Sequence, residues 1–97
     1  MTSFQQMLKA ANDDVKARNI QTIEQYNAAL KANGLRIEVE VVKGDDGISD
    51  TIAVFGETED GTVEGYYTQA DLKEYPTTLV WKISNTLKYF NVNASEL

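Results

Sequence analysis

The 97-residue chain carries fifteen acidic and nine basic side chains, with no histidine and no cysteine. Without histidine the commonest general base is missing, and without cysteine neither a thiolate nucleophile nor a thiolate metal site can form. Ser3, Ser49, Ser84 and Ser95 have no recognisable activating partner near them in sequence. Paired carboxylates can cleave glycosidic bonds, but a domain of this size leaves little room for the cleft that chemistry needs. A twelve-residue calcium loop wants Asp at its first position and Gly at its sixth. With Gly47 sixth the first residue is Val42, and with Gly61 sixth it is Gly56, so both acid-rich turns fail the test. The stretch "GDDG" sets acids where a phosphate would have to approach. Solvated turn carboxylates are therefore the expectation at Asp45, Asp46 and Asp50, against a weak surface cation site. Neither catalysis nor a cofactor is expected.

The acids are concentrated. Residues 1–36 hold three acids and five bases (+2), residues 37–74 eleven and two (−9), and residues 75–97 one and two (+1). The total of −6 argues against direct contact with nucleic acid or an anionic membrane. In "GETEDGTVEG", residues 56–65, four acids occur with no base among them. The opening "MTSFQQMLKAANDD" lacks the basic start and apolar run of a secretory leader, and no apolar run approaches the roughly 18 residues of a membrane span. The chain is expected in the cytoplasm of a bacterial host, as a single domain over residues 1–97, too short for a second core.

Several local patterns position these residues. Ser3 with Gln6 forms a capping-box signature, after which Phe4, Leu8, Ala11 and Val15 share one helical stripe with Met7 at its edge. Ile20, Ile23, Tyr26 and Leu30 mark a second helical pattern that ends at Gly34, with Asn19 as its cap; two helices or one kinked helix are expected. From Leu35 the period becomes two. Asp46-Gly47 and Asp60-Gly61 each suit a two-residue type I′ turn, predicting a meander of strands over 36–43, 49–57 and 62–68. Thr68 and Asp71 then open a short helix interrupted by Pro76. A last helix follows, with Leu79, Val80, Ile83, Leu87 and Phe90 on its apolar side. The predicted fold is α+β, a three-stranded antiparallel meander with helices on one face, in the order α-α-β-β-β-α-α. Trp81 and Tyr89 fall off the apolar stripe, and Trp81 is expected to pack on the chain's last residues.

With those turns, Val41 faces Ile52, and Val39, Val54 and Tyr67 form one apolar row against the helices. The opposite face then reads Arg36–Glu57–Glu64, Glu38–Phe55–Tyr66 and Glu40–Ala53–Thr68. Glu57 and Glu64 would oppose each other, at a cost of roughly 0.2–1 kcal/mol. Charge that merely keeps sheet edges apart is the bland explanation. The functional one is that carboxylates at alternate strand positions, about 6–7 Å apart, imitate phosphates for a basic groove, with Phe55 and Tyr66 as apolar anchors. The expected partner-binding residues are Glu38, Glu40, Asp45, Asp50, Phe55, Glu57, Glu59, Glu64, Tyr66, Asp71 and Glu74.

The helical opening "MTSFQQMLKAANDDVKARN", the absence of cysteine and the acid-rich meander "EVEVVKGDDGISDTIAVFGETEDGTVEG" together resemble the small acidic anti-CRISPR proteins of phages and mobile elements. The likeness is greatest to the DNA-mimicking inhibitors of the type I-F (Csy) surveillance complex. It implies a non-enzymatic inhibitor that occupies the lysine-rich groove where the complex grips target duplex, without touching nucleic acid itself. The positive bias of the helical ends departs from a wholly acidic mimic and confines mimicry to one face. The alternative is an interaction or assembly module, a homodimer or a phage structural component, that uses its helices.

Overall fold

Neither proline nor glycine interrupts residues 4–32, and the computed structural model has them as one continuous helix, α1 (Phe4–Ala32). The model describes residues 3–44, 46–47 and 50–97, except for the side chain of Gln69. The capping box forms: Gln6 N–H donates to Ser3 Oγ at 3.2 Å and Ser3 N–H to Gln6 Oε1 at 3.0 Å. At the other end Leu35 N–H donates to Leu30 O and Gly34 N–H to Lys31 O, each at 3.0 Å, which satisfies the last carbonyls as a Schellman motif does. The expected break at Asn19 is absent. Asn19 is fully buried in mid-helix, and its side chain is used in a tertiary contact, with Nδ2 donating to Leu72 O at 2.8 Å and Glu74 O at 2.7 Å.

Strands β1 (Ile37–Lys43), β2 (Asp50–Glu57) and β3 (Val63–Asp71) form an antiparallel sheet in that order. The second turn is not type I′, because that turn needs positive φ at both central residues, and Asp60 does not have it. The first hairpin keeps the expected register, Val39 opposite Val54 and Val41 opposite Ile52, and residues 45, 48 and 49 around its expected Asp46-Gly47 turn lie outside the described residues. The second does not. Thr58 N–H donates to Thr62 O at 2.8 Å and Gly61 N–H to Thr58 O at 2.9 Å, with Gly61 at φ +85°: a three-residue loop over 59–61, closed by a left-handed glycine. One extra loop residue moves β3 by one place, so Val54 faces Tyr66, Gly56 faces Glu64 and Glu57 faces Val63.

β3 also runs on to Asp71, where a short helix was expected. Thr68 Oγ1 donates to Ile52 O at 3.2 Å, Ala70 and Leu72 are buried, and Asp71 Oδ1 accepts from Lys73 N–H at 2.7 Å to make a turn instead of a helix start. Pro76 interrupts nothing; it is the first residue of α2 (Pro76–Leu87), where a missing N–H costs no helical bond. The order is thus α-β-β-β-α, followed by 3₁₀ turns at Lys88–Phe90 and Ala94–Glu96.

Both helices cover one face of the sheet. Ile23 and Leu30 of α1, Leu79, Ile83 and Leu87 of α2, and Val39, Ile52, Val54, Ala70, Leu72 and Val92 make the core. Val80 lies 39% exposed, and Trp81, expected against the chain's end, is 65% exposed. Tyr26 ties the helices, its hydroxyl 3.0 Å from Ser84 Oγ. The open edge of β1 is closed by Asn27 of α1, whose Oδ1 accepts from Val39 N–H at 2.7 Å and whose Nδ2 donates to Val39 O at 2.9 Å. One amide side chain thereby makes both bonds that a neighbouring strand would make.

Candidate functional site

The face away from the helices carries Glu38 and Glu40 of β1, then Ala53, Phe55 and Glu57 of β2, then Val63, Gly65 and Tyr67 of β3. Its rows are Glu38–Phe55–Gly65 and Glu40–Ala53–Tyr67, with Glu57 opposite Val63. Phe55 is half-buried because its ring lies across Gly65: a Cβ added there would come within 2.5 Å of the ring. Any larger residue at 65 would push the ring off the sheet. Tyr67 is 66% and Val63 68% exposed beside it. Sequence reasoning placed Tyr67 against the helices, and the one-residue shift in β3 reverses that assignment.

The same shift removes Glu64 and Tyr66 from this face. Glu64 lies opposite Gly56 on the helix side, where the ring of Phe90 packs so closely on Gly56 that an added Cβ would sit 2.5 Å from it. Tyr66 donates its hydroxyl to Glu64 Oε2 at 3.0 Å, and this bond raises the phenol's pKa above its usual range. The Tyr66 ring stacks on Tyr89 with centroids 4.8 Å apart and meets Phe90 edge-on at 5.4 Å. The like-charge confrontation of Glu57 with Glu64 therefore does not occur. Their proximity is that of two sides of one hairpin tip.

Of the remaining acids, several are engaged within the chain. Asp50 pairs with Lys43 at 2.8 Å and with Lys16 of α1 at 3.1 Å, and these two ammonium groups hold its pKa below the ordinary carboxylate value. Glu57 pairs with Arg36 at 3.1 Å and Glu74 with Lys82 at 3.2 Å. Asp71 is occupied by its turn. Asp45 lies outside the described residues. Among the described residues no cation reaches ion-pair distance of Glu38, Glu40, Glu59 or Glu64.

The hairpin tip is the second part of the site. Glu57, Thr58, Glu59, Asp60 and Glu64 line an open groove whose other wall is Tyr89, Phe90 and Asn91. Asp60 is locked into the loop: Thr58 Oγ1 donates to its Oδ1, as does Thr62 N–H at 3.0 Å. These bonds, the Thr58 hydroxyl first, lower its pKa to about 2. Four carboxylates beside an exposed, stacked tyrosine suit a guanidinium or ammonium group, which gains from charge and from the ring face together. Tyr89 was visible in sequence as an aromatic off its stripe, but its partner was not. Finding it required knowing that Tyr66 points to the helix side. The stretch "TEDGT" carries the needed signal, since Thr-x-Asp-Gly also fits a three-residue loop with an Asx turn.

Among the described residues no group of three or more acidic side chains is arranged to hold a metal ion, and no helix is long and apolar enough to cross a membrane. No protein-family model matches the chain, and neither a curated protein nor a solved structure is significantly similar to it.

Proposed function

We propose that the protein is a non-enzymatic inhibitor that presents carboxylates in place of DNA phosphates to a basic, duplex-binding groove of another protein. The observation that carries this reading is Glu38 and Glu40 on the outer face of β1, with no cation at ion-pair distance among the described residues, Phe55 opposite Glu38 and the exposed Tyr67 one strand further. The two glutamates are spaced about 6–7 Å apart along the strand, comparable to the phosphate repeat of one DNA strand. The hairpin tip extends the charge with Glu59, Asp60 and Glu64. Charge of this density speeds encounter with a basic groove, and the aromatic and aliphatic groups beside it give contacts that persist when salt screens the charge. The same carboxylates would repel nucleic acid, so the partner is a protein. The resemblance to the anti-CRISPR inhibitors makes the type I-F surveillance complex the first target to try.

The test is a mobility-shift assay of target duplex with that purified complex, with the protein added at rising concentration. Inhibition should weaken with salt, be competed by excess duplex, and drop at least about tenfold when Glu38 and Glu40 are both changed to Lys, corresponding to about 1.4 kcal/mol. Glu74→Lys, at a residue already paired within the chain, should matter less. Full inhibition by the Glu38→Lys/Glu40→Lys variant would refute the role given to the sheet face, and no inhibition by the unaltered protein would refute the choice of target.

A further inference from the structure

Residues 3–14 are all exposed, and this end of α1 runs on beyond the point where Lys16 meets Asp50 at the start of β2. It gives the molecule its length, 57 Å against 29 and 17 Å in the other directions. Along the projecting arm Phe4, Leu8, Ala11 and Val15 recur at intervals of four, three and four residues, the spacing of a helix–helix seam. Phe4 is 73%, Met7 59% and Leu8 48% exposed. Single apolar residues on a surface are ordinary, whereas a row of them along an exposed helical arm calls for a cover.

We propose that the cover is the same arm of a second copy, the two running antiparallel over residues 4–15. A two-fold axis between Leu8 and Ala11 sets Leu8 of each chain against Ala11 of the other and Phe4 against Val15, so a larger side chain meets a smaller one at every layer. The flanking positions suit this pairing. Gln5 and Asn12 are uncharged, and Asp14 is already neutralised by its own Arg18 at 3.1 Å. Charge also selects the direction. A parallel pair would bring the two acidic regions, each −9 over residues 37–74, side by side, while the antiparallel pair holds them at opposite ends. Taking about 200 Å² for a buried aromatic and about 100 Å² for Leu or Met, covering Phe4, Met7 and Leu8 removes roughly 250 Å² per copy. With its polar flanks such a contact falls below the ~1,200 Å² of a standard interface. The dimer is therefore a weak, exchanging one that forms at high concentration.

Sedimentation velocity of the full chain from about 1 μM to about 1 mM should show the mass rise from one copy to two. Leu8→Glu should remain monomeric throughout, with unchanged helical circular dichroism, because Leu8 lies outside the core. The chain has no cysteine, so orientation can be read by crosslinking: Leu8→Cys mixed with Ala11→Cys should form a mixed disulfide under mild oxidation, and Leu8→Cys alone should not. A wild-type chain that stays monomeric at the highest concentration, or a dimer that survives Leu8→Glu, overturns the proposal. So does a monomer that binds phosphatidylcholine–phosphatidylglycerol vesicles and loses that binding with Leu8→Glu, which would assign the arm to a lipid surface. Crosslinking by Leu8→Cys alone overturns the antiparallel arrangement.

Discussion

Asn19 joins the long helix to the segment between β3 and α2, and its substitution is the sharpest test of how the domain is held. In Asn19→Ala two hydrogen bonds, of 2.8 and 2.7 Å, disappear. Leu72 is 3% exposed, so its carbonyl cannot regain water and costs about 1–3 kcal/mol; the half-buried Glu74 carbonyl costs less, about 0.5–1.5 kcal/mol. One term opposes these. Asn19 Oδ1 is buried without a hydrogen-bond partner among the described residues, a penalty the wild type bears and the alanine variant relieves. The net loss is then about 1–2 kcal/mol. Asn19→Asp keeps the volume but aims a carboxylate at two carbonyl oxygens, and an unpaired buried charge costs about 3–5 kcal/mol. That charge is avoided by taking up a proton, so the folded pKa of Asp at 19 rises above its unfolded value of about 3.9. The sign follows: the penalty is full above the raised pKa and shrinks as pH falls, because the protonated acid can again donate to Leu72 O. Urea unfolding followed by circular dichroism at pH 7 and pH 4.5 measures this, with m unchanged if only stability moves. If Asp is as stable as Ala at pH 7, or fails to gain on Ala at pH 4.5, the reasoning is refuted.

Two further outcomes follow from the hairpin tip. Thr58→Val removes the leading hydrogen bond to Asp60, and an NMR titration should find its pKa raised from about 2 toward the ordinary value of 3.8. Since a depressed pKa adds stability above the unfolded value that is lost as pH falls through the folded one, the variant should lose acid resistance between about pH 4 and pH 2. Gly61→Ala places a Cβ at φ +85° and should cost about 1–2 kcal/mol by thermal unfolding, lowering Tm by about 4–8 °C per kcal/mol. A stabilised Gly61→Ala variant would contradict the three-residue loop.

Much of the fold is legible in the residues themselves. The capping box at Ser3, the helix end at Gly34, the switch to period two at Leu35 and the first hairpin register all follow from local rules that the structure obeys. The failures are equally local in origin. Asn19 looks like a cap because asparagine favours caps, but a tertiary acceptor can hold the same side chain inside a helix. Asp60-Gly61 fits both a two-residue and a three-residue loop. That single ambiguity exchanges Glu64, Tyr66 and Thr68 for Val63, Gly65 and Tyr67 on the outer face, so the expected site residues Glu64 and Tyr66 lie on the other side of the sheet.

By itself, the sequence determined the chemical repertoire, the charge segregation and the kinds of element: a chain without histidine or cysteine, acidic through its middle third, built as helix, meander and helix. These depend on composition and on contacts between near neighbours. Tertiary structure decided which carboxylates are free. Whether Asp50 and Glu74 are spent on Lys16 and Lys82, while among the described residues Glu38 and Glu40 make no ion pair, depends on where α1 and α2 cross the sheet. The face that Tyr67 occupies depends on one residue in a turn. Pairing across strands has an exact period of two, so an uncertainty of one position in the loop becomes a complete reversal of the face.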